Sequence, residues 1–419
     1  MKVKVALGLS GGVDSAVCAY LLKKQGFDVS CIYLNCFDST PAGGSGCRGD
    51  NDRKDALAVA MHLGLPFQVL DFRKEYQAAV IDYFKKEYLL GRTPNPDVVC
   101  NRDIKFGLFL DWVIKEGFDY VATGHYAKMA TMAKNSYNHS NHSNLSNHFD
   151  HFLFRPTDLH KDQTYFLWAV PKEKFKRVLF PLGNLLKTEI RKIALKIGLP
   201  VAQKKDSTGI CFVGEVRVED FLKQLGVKEK KGEVVIRRKM IKMARDGKDG
   251  NHPDNPNHPN PSNHYSYYVI GSHRGVWFYT IGQRHGFSTD LRSSKNREEG
   301  RRKKEEGLIL SDFSPLYVIE KDIKKNRLVV GFGAETYRDQ FTVSRVNWLT
   351  SNFKFKISNL PHVYVRIRHG GELIPCSINA LTHQRINISL SEAQRGIAVG
   401  QSAVFYNQEG IVLGGGVIQ

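Results

Sequence analysis

The stretch Ser10-Gly11-Gly12-Val13-Asp14-Ser15 decides how the first part of the chain is organised. An apolar run, Val3 to Leu9, precedes it and predicts a buried strand. Apolar residues at helical spacing follow it and stop near Gly26, which is typical of a helix C-terminus. The chain is therefore predicted to run from strand through glycine-rich turn to helix. Two adjacent glycines leave room for a ligand to approach such a turn closely.

The turn also has the donors that an anion needs. Amides at the start of a helix have no partner within the helix, and the helix dipole is positive there. The hydroxyls of Ser10 and Ser15 add to these donors. The combination predicts a site for phosphate or pyrophosphate. An ordinary strand-to-helix turn is the alternative interpretation.

Composition and charge restrict the class of protein. The chain has 419 residues, of which 42% are hydrophobic and 25% charged, as in globular proteins. That length predicts about two to three domains. No apolar run is long enough to cross a bilayer, and the N-terminus leads directly into the first strand, so we expect a cytoplasmic protein without a signal peptide or membrane partner. The net charge of +19 predicts a polyanionic partner, and favours nucleic acid over a merely solvated surface.

The chain contains seven cysteines. An odd number without a secretion signal predicts free thiols and not a disulfide framework. The absence of any Cys-x-x-Cys pair argues against a structural zinc site. The cysteines are Cys18, Cys31, Cys36, Cys47, Cys100, Cys211 and Cys376.

Strand-like and helix-like segments alternate over residues 1–130, which predicts an α/β fold with a doubly wound parallel sheet. Ligands of such sheets bind beyond the carboxyl ends of the strands. The glycine-rich turn, Leu34 and Gly124-His125 all lie at such ends. The expected strands are Val3–Leu9, Val29–Tyr33, Phe67–Leu70 and Tyr120–Thr123. The expected helices are Val13–Lys24, Asp52–Leu63, Glu75–Leu89, Arg102–Glu116, Gln163–Val170 and Lys187–Ile197.

From about Val216 the chain consists of short β-rich runs separated by turns, which predicts two small β domains, the last a β-barrel. The expected domains are residues 1–213, 214–333 and 334–419. Polar or charged segments at about 134–151, 237–264 and 289–306 predict flexible insertions. The expected strands are Glu233–Ile236, Trp277–Tyr279, Leu316–Glu320, Arg327–Gly331, Thr342–Asn347, Val363–Ile367, Ile386–Leu390 and Ser402–Phe405.

A second informative stretch is Thr93-Pro94-Asn95-Pro96-Asp97-Val98-Val99-Cys100-Asn101. Its two prolines restrict the backbone and predict a rigid loop. Asp97 and Cys100 follow at the start of a predicted helix, where the dipole favours a thiolate and is expected to lower the pKa of Cys100. A buried, inert Cys100 is the alternative.

A third stretch, Asp206-Ser207-Thr208-Gly209-Ile210-Cys211-Phe212, lies between the helical part and the first β domain. Loops at such junctions often carry function, so Cys211 is a candidate for a second reactive thiol. A phosphate-binding turn, two loop cysteines and a large positive charge together predict nucleotide activation coupled to sulfur chemistry on a polyanion.

The residues Ser10–Ser15 resemble the signature of the N-type ATP pyrophosphatases. These enzymes have an adenine nucleotide alpha hydrolase-like fold and split ATP into AMP and pyrophosphate while adenylating a substrate oxygen. Further stretches are similar to one branch of them, the tRNA-specific 2-thiouridylases, and the similarity covers nearly the whole chain apart from the insertions. These stretches are Gly91–Asp97, Cys100-Asn101, Lys105-Phe106, Ala122–Tyr126, Lys161–Tyr165, Ser207–Cys211, Thr280–Arg284 and Gly400–Tyr406.

The resemblance implies ATP-dependent 2-thiolation of a uridine in the tRNA anticodon loop, at the wobble position. The C2 oxygen would be adenylated, and sulfur would come from a cysteine persulfide. Cys211 would carry the persulfide, Cys100 would be the partner nucleophile, and Asp97 would lie near the chemistry. Because the two cysteines are far apart in sequence, we expect a loop to move or become ordered when RNA binds.

The resemblance also assigns binding residues. ATP would be held by Gly8, Leu9, Ser10, Gly11, Gly12, Val13, Asp14, Ser15, Leu34 and Gly124. The tRNA would contact Asn95, Pro96, Asp97, His125, Lys161, Asp162, Gln163, Arg366, Ile367 and Gln401. The implied partners are ATP with Mg²⁺, tRNA, and a persulfide donor such as a cysteine desulfurase or a sulfur-relay protein. No resident metal is assigned, and an iron–sulfur cluster on Asp97, Cys100 and Cys211 is left open.

The sequence departs from the family at Leu34, where a methionine is common, and within Leu34–Phe37, where a tryptophan is often found. Two other functions compete with this interpretation. An amide-forming or argininosuccinate-type synthetase would need neither the loop cysteines nor the basic β domains. A non-catalytic RNA-binding module would need no complete phosphate loop.

Overall fold

The computed structural model describes residues 2–37, 48–133, 149–206, 209, 211–214, 216–237, 267–289, 315–350, 362–382 and 385–419. The predicted insertions, together with Ser207, Thr208 and Cys47, lie largely or wholly outside these ranges. Within the described ranges no helix is long and apolar enough to cross a membrane.

The first part of the chain forms a parallel sheet, as predicted. The sheet has five strands in the order β3-β2-β1-β4-β7, and every neighbouring pair is parallel. A separate antiparallel hairpin, β5 with β6, follows β4. The strands are β1 Lys4–Gly8, β2 Asp28–Asn35, β3 Phe67–Asp71, β4 Tyr120–Ala122, β5 Lys128–Ala133, β6 Phe149–Phe154 and β7 Val178–Leu179.

Helices cover both faces of this sheet. Val5 and Leu7 of β1 pack in one apolar cluster, and Ala6 packs in the other, because successive side chains of a strand point to opposite faces. This alternation confirms the doubly wound α/β fold. The helices of the chain are α1 Val13–Lys24, α2 Arg48–Leu63, α3 Arg73–Tyr76, α4 Asp82–Leu89, α5 Pro96–Val99, α6 Leu110–Lys115, α7 Lys187–Lys196 and α8 Val218–Gln224.

Two of the helical regions are wider than an α-helix over part of their length. Gln77–Ile81 joins α3 to α4 as a π-helix, and Cys100–Phe109 joins α5 to α6 in the same way. Such segments are rare and often lie at functional sites. Periodicity predicted both regions as helices but gave no sign of the wider turns.

The helix predicted over Gln163–Val170 is wrong. This part of the chain forms short 3₁₀ turns, Leu159–Lys161 and Thr164–Phe166. Asp162 accepts hydrogen bonds from the Thr164 amide at 3.0 Å and from its hydroxyl at 2.6 Å. A side chain that binds the local backbone in this way competes with helix formation.

The middle of the chain forms a small β-sheet with the order β10-β9-β8-β12-β11. The run Trp277–Tyr279, predicted as β, belongs instead to a 3₁₀ turn, Val276–Phe278. The Val276 amide donates to Asn326 Oδ1 at 3.1 Å and is therefore not free to join a ladder. The strands are β8 Gly232–Arg237, β9 Tyr267–His273, β10 Ser288–Thr289, β11 Tyr317–Asp322 and β12 Arg327–Gly331.

The C-terminal part is a closed β-barrel, as predicted, with the strand order β13-β16-β15-β14-β17-β18. Alternate side chains of its strands fill the interior, including Val365, Ile388 and Phe405. The strands are β13 Tyr337–Trp348, β14 Val363–Arg366, β15 Ile374–Thr382, β16 Arg385–Arg395, β17 Ser402–Tyr406 and β18 Val412–Ile418.

Candidate active site

The glycine-rich turn connects β1 to α1 and leaves no room for a side chain at Gly11. Gly11 has φ +76°, and a Cβ there would lie 2.2 Å from the Asp52 carbonyl oxygen. A Cβ on Gly124, after β4, would lie 3.0 Å from the Ser15 amide nitrogen. The Ser15 hydroxyl accepts from the Ser10 amide at 3.1 Å and fixes the turn. The cap residue Gly12 supplies no side-chain acceptor to the first amides of α1, so these amides are suited to an anion.

The other residues assigned to ATP surround this turn. Gly8 ends β1, and Leu9 and Val13 are buried beneath the turn. Leu34, at the carboxyl end of β2, is also buried. These placements agree with the rule that nucleotides bind beyond the strand ends of such sheets.

Cations converge on the turn from distant parts of the chain. Asp14 Oδ1 accepts from Lys187 Nζ at 2.7 Å and from the Tyr126 hydroxyl at 2.8 Å. Lys204 Nζ donates to the Gly11 carbonyl at 3.0 Å and to Asp52 at 2.7 Å. Two ammonium groups beside unpaired helix amides form a favourable setting for phosphates.

Asp206 connects this turn to the segment that leads to Cys211. Its carboxylate binds Lys161 at 2.6 Å, Lys187 at 2.7 Å and Arg191 at 2.6 Å. Burial opposes its charge, but the hydrogen bonds from Lys161 and Lys187 outweigh burial and lower the pKa of Asp206. Through Lys187, the same ion-pair network includes Asp14 of the glycine-rich turn.

The proline-bound loop, which contains Pro94 and Pro96, is held both by its own helix cap and by the barrel. Asn95 caps α5, because its Oδ1 accepts from the Val98 amide at 3.3 Å, and Pro96 takes the first helical position. The Thr93 amide donates to the Val399 carbonyl of the barrel at 2.8 Å. A Cβ on Gly400 would lie 2.9 Å from the Thr93 amide nitrogen, so the barrel approaches this loop closely.

Cys100 and Cys211 lie next to each other, and their side chains are hydrogen-bonded as free thiols. The structure thus brings together two cysteines that are far apart in sequence, and the expectation that a loop moves or becomes ordered when RNA binds stays a prediction. The Cys211 amide donates to Asp97 Oδ1 at 2.9 Å, and the Tyr76 hydroxyl donates to the Cys211 carbonyl at 2.5 Å. Both backbone groups of Cys211 are thus held by side chains that are distant in sequence.

The two thiols differ in acidity, and not in the way that the sequence predicted. Cys100 is fully buried, and burial, together with the adjacent Cys211, raises its pKa. Cys211 is half-buried, and the hydrogen bond from Cys100, helped by Lys105, lowers its pKa to about 7 against the opposing effect of burial. The low pKa predicted for Cys100 is therefore wrong, because burial outweighs any effect of the short helix before it.

The family profile described as "tRNA methyl transferase HUP domain" matches residues 3–215, and the "Aminomethyltransferase beta-barrel domain" profile matches residues 338–418. A third profile, "tRNA methyl transferase PRC-barrel domain", matches residues 263–297. The tRNA-specific 2-thiouridylase MnmA of Streptococcus mutans is 37% identical over 100% of this chain and 95% of its own length. The chain belongs to the tRNA-specific 2-thiouridylase family.

A second curated relative agrees with this membership. The tRNA-specific 2-thiouridylase MnmA of Pediococcus pentosaceus is 36% identical over 100% of this chain and 95% of its own. Among solved structures, NMN synthetase from Francisella tularensis matches with a TM-score of 0.31 at 16% identity, over 59% of this chain and 78% of its own. A 4-thiouridine synthetase–RNA complex with bound ATP matches with a TM-score of 0.30 at 16% identity, over 54% of this chain and 51% of its own. The prediction of a tRNA sulfurtransferase enzyme is confirmed by the curated relatives.

Several residues that the resemblance assigns to tRNA lie inside this 2-thiouridylase family member. His125 is buried, its Nδ1 is 2.8 Å from the Thr123 hydroxyl, and its ring packs on Phe106 and Phe180. Burial, with Lys105 nearby, lowers the pKa of His125, so the ring is neutral at pH 7. In this conformation His125 shapes the interior of the site and offers no face to a phosphate.

Asp162 and Arg366 join the α/β domain to the barrel. Asp162 Oδ2 accepts from Arg366 at 2.9 Å and from Arg155 at 2.7 Å, with the Asp162 side chain 1% exposed. Ile367 is buried beside them. Removing one member of a buried ion pair costs about 3–5 kcal/mol, so this group fixes the position of the barrel.

The remaining assigned residues are more accessible. Lys161 is 39% exposed and is paired with Asp206. Gln163 is half-buried, and its Oε1 accepts from the Tyr126 amide at 3.0 Å. Gln401, also half-buried, closes the turn before β17, where its amide donates to the Ala398 carbonyl at 3.2 Å. Of the assigned RNA contacts, Lys161 is the cation that a phosphate reaches most readily.

The cluster around Cys100 and Cys211, here called the sulfur site, includes three residues that the sequence did not predict. Tyr76 has helical spacing typical of a core aromatic, and nothing local links it to Cys211. Lys105 lies within a motif of the resemblance, but no role was given to it. The buried thiol of Cys36, at the end of β2, lies close enough to Cys211 for the two to affect each other's charge. In the described part of the chain, no group of three or more His, Cys, Asp or Glu residues is arranged to hold a metal ion.

Proposed function

We propose that this protein replaces the C2 oxygen of a uridine in the anticodon loop of tRNA, at the wobble position, with sulfur, at the expense of ATP. One observation carries the proposal: two free thiols, Cys100 and Cys211, touch each other within one molecule that also contains a turn built for phosphates. Methyl transfer, which the description of the family profile names, would need no pair of adjacent thiols.

The first step activates the base. The uridine C2 oxygen attacks the α-phosphorus of ATP, which enters as its Mg²⁺ complex, and the bond to the β-phosphate breaks. The turn Ser10–Ser15, with Lys187 and Lys204 nearby, would hold the pyrophosphate that leaves. Leu34 and Gly124 would line the adenosine site. The C2 oxygen thereby becomes part of AMP, which is a good leaving group.

The second step delivers sulfur from a persulfide on Cys211. In one route the Cys100 thiol attacks the inner sulfur of that persulfide and gives its proton to the terminal sulfur, which leaves as hydrosulfide. Hydrosulfide then attacks C2 and displaces AMP. In the other route the terminal sulfur attacks C2 first, AMP leaves, and Cys100 then attacks Cys211 to release the thiolated base. Both routes end in a Cys100–Cys211 disulfide, which a dithiol reductant must reopen.

The substrate must reach a site between the catalytic domain and the barrel. The target base has to leave its stack, which costs little in an RNA loop. A chain with a net charge of +19 supplies cations for the phosphates, and binding should therefore weaken steeply with salt. A cysteine desulfurase or a sulfur-relay protein would supply the persulfide.

The test uses the full-length protein with ATP, unmodified tRNA and a persulfide donor. We expect 2-thiouridine in nuclease-digested tRNA by mass spectrometry, and one AMP released for each thiolated base. AMP release with an amino acid or other small molecule, and no thiolated tRNA, would instead identify a synthetase. Tight tRNA binding without AMP or 2-thiouridine would identify a non-catalytic binding protein. Either result contradicts the proposal.

A further inference from the structure

A lysine lies among the sulfur atoms of the candidate site, and the proposed reaction gives it no role. The Lys105 side chain is hydrogen-bonded to that of Cys211. Its Nζ also lies 5.7 Å from the centre of the Phe212 ring. Its chain neighbours Ile104 and Phe106 are fully buried. An ammonium group is therefore held directly against the sulfur that is proposed to carry the persulfide.

The wide helical segment explains how Lys105 reaches this position. In an α-helix the fifth residue along is rotated by about 140° from the first. In a π-helix, whose hydrogen bonds join residues five apart, the rotation is only about 50°. Cys100 begins the π-helical segment Cys100–Phe109, and Lys105 is the fifth residue after it. The segment thus places a thiol and an ammonium on one face, which an α-helix would not do.

The groups that face Cys211 come from four parts of the chain. Asp97 and Cys100 belong to the proline-bound loop and the helix after it, Cys36 follows β2, and Tyr76 belongs to α3. Lys105 is the only cation among these described groups. Burial opposes its charge, but Cys211, Cys100 and Asp97 outweigh burial and raise the pKa of Lys105. The neighbouring His125 is neutral, so the charge at this point comes from the lysine alone.

We propose that Lys105 is a catalytic residue of sulfur transfer, whose ammonium stabilises the thiolate of Cys211 and then the anionic persulfide formed on it. This inference rests on the proposed function. The Cys211 thiolate attacks the terminal sulfur of the donor's persulfide, the new S–S bond forms, and the donor's S–S bond breaks to release the donor thiolate. The departing donor thiolate takes up the proton of the terminal sulfur, so the negative charge ends on the new persulfide of Cys211, and Lys105 remains protonated beside it throughout.

The test measures the acidity of Cys211 directly, without ATP or tRNA. The full-length protein is alkylated with iodoacetamide over a pH series, and labelling of the Cys211 peptide is followed by mass spectrometry. For Lys105→Met and Lys105→Gln we expect the midpoint of the rate profile to rise by about one pH unit or more, which slows labelling near pH 7 about tenfold. Lys105→Arg should keep the wild-type midpoint. Lys174→Met, which removes a cation paired with Asp111 at 3.0 Å, is the matched control.

Turnover provides the second readout. We expect Lys105→Met to thiolate tRNA at least about tenfold more slowly, and Lys105→Arg to recover most of the rate. If the Met and Gln variants fold and keep the wild-type labelling profile, the proposed role of Lys105 is wrong even where thiolation falls. A wild-type protein that makes no 2-thiouridine would overturn the proposed function instead, and the labelling profile would still decide the role of Lys105.

Discussion

The glycine-rich turn and the sulfur site lie in one domain but are built in different ways. Residues that adjoin in sequence form the turn, and half-exposed ion pairs such as Lys187–Asp14 hold it in place. The sulfur site combines Tyr76, Cys100 and Cys211 from distant positions, within buried aromatic surroundings. Phosphates need cations and free amides that water also reaches, whereas a reactive sulfur needs shielding from oxidants in solution.

Removing the reactive sulfur gives the largest effect. We expect Cys211→Ser to abolish 2-thiouridine formation, because a hydroxyl cannot carry the sulfane sulfur. The same protein should bind ATP within about twofold of wild type, since the glycine-rich turn is a separate structure. Nucleoside mass spectrometry measures sulfur transfer, and equilibrium ATP binding measures the glycine-rich turn, so the two sites are tested independently. Cys18→Ser, a buried thiol on α1, is the control and should keep thiolation. Thiolation by Cys211→Ser would mean that Cys211 does not carry the sulfur.

Adding one methyl group to the glycine-rich turn should slow AMP formation and leave the sulfur site unchanged. In Gly11→Ala the new Cβ would meet the Asp52 carbonyl oxygen at 2.2 Å with φ at +76°. A displacement of about 1 Å in such a site costs on the order of a hundredfold in rate. We expect that loss in AMP formation, with an unchanged pH profile for Cys211 alkylation.

Gly117→Ala is the matched control for this substitution. Gly117 has the same φ of +76°, but a Cβ there would meet nothing within 4 Å. Both variants carry the strain of a left-handed alanine, about 1–2 kcal/mol, and only Gly11→Ala carries the clash. If the two variants lose activity equally, backbone strain and not the shape of the turn is responsible.

A smaller effect is expected at Asp206, which connects the glycine-rich turn to the segment that leads to Cys211. Asp206→Asn removes the charge that binds Lys161, Lys187 and Arg191, and should lower the free energy of unfolding at pH 7 by about 1–3 kcal/mol. The pKa of Asp206 is lower in the folded chain than in the unfolded chain. Its contribution to stability is therefore complete above the unfolded value, about 3.9, and is lost as the pH falls towards the folded value.

Urea unfolding at pH 7 and pH 3 tests this sign. The difference between wild type and Asp206→Asn should shrink at the lower pH. Asp28→Asn, at an exposed position, should show no such change. A difference that stays constant between the two pH values would contradict the assignment of the low pKa to Asp206.

The sequence predicted the glycine-rich turn better than the sulfur site. The glycine-rich turn was predictable because its glycines, hydroxyls and strand-to-helix setting occupy adjacent positions. The pairing of Cys100 with Cys211 was implied by the family resemblance, and the structure places the two thiols next to each other. Burial could not be predicted from the sequence: the resemblance assigns Asp162 and Arg366 to tRNA, yet they pair with each other where the α/β domain meets the barrel. Contacts between distant parts of the chain leave no local pattern.

The smallest predicted effect concerns how Cys211 is positioned. Tyr76 is fully buried, and its hydroxyl donates to the Cys211 carbonyl at 2.5 Å. Tyr76→Phe keeps the ring and its packing on Phe212, with ring centres 5.7 Å apart, and removes only that donor. A neutral hydrogen bond is worth about 0.5–1.5 kcal/mol, so thiolation should slow about two- to tenfold.

ATP binding should stay unchanged in Tyr76→Phe, because the glycine-rich turn does not depend on this contact. Tyr20→Phe, on α1 in the other apolar cluster, is the control and should leave thiolation as it is. Single-turnover thiolation from a preformed Cys211 persulfide measures the effect without the loading step. An unchanged single-turnover rate would mean that Asp97, through its 2.9 Å bond to the Cys211 amide, is sufficient to hold the cysteine in place. The sulfur site would then depend on fewer contacts between residues that are distant in sequence. In this respect it would differ less from the glycine-rich turn.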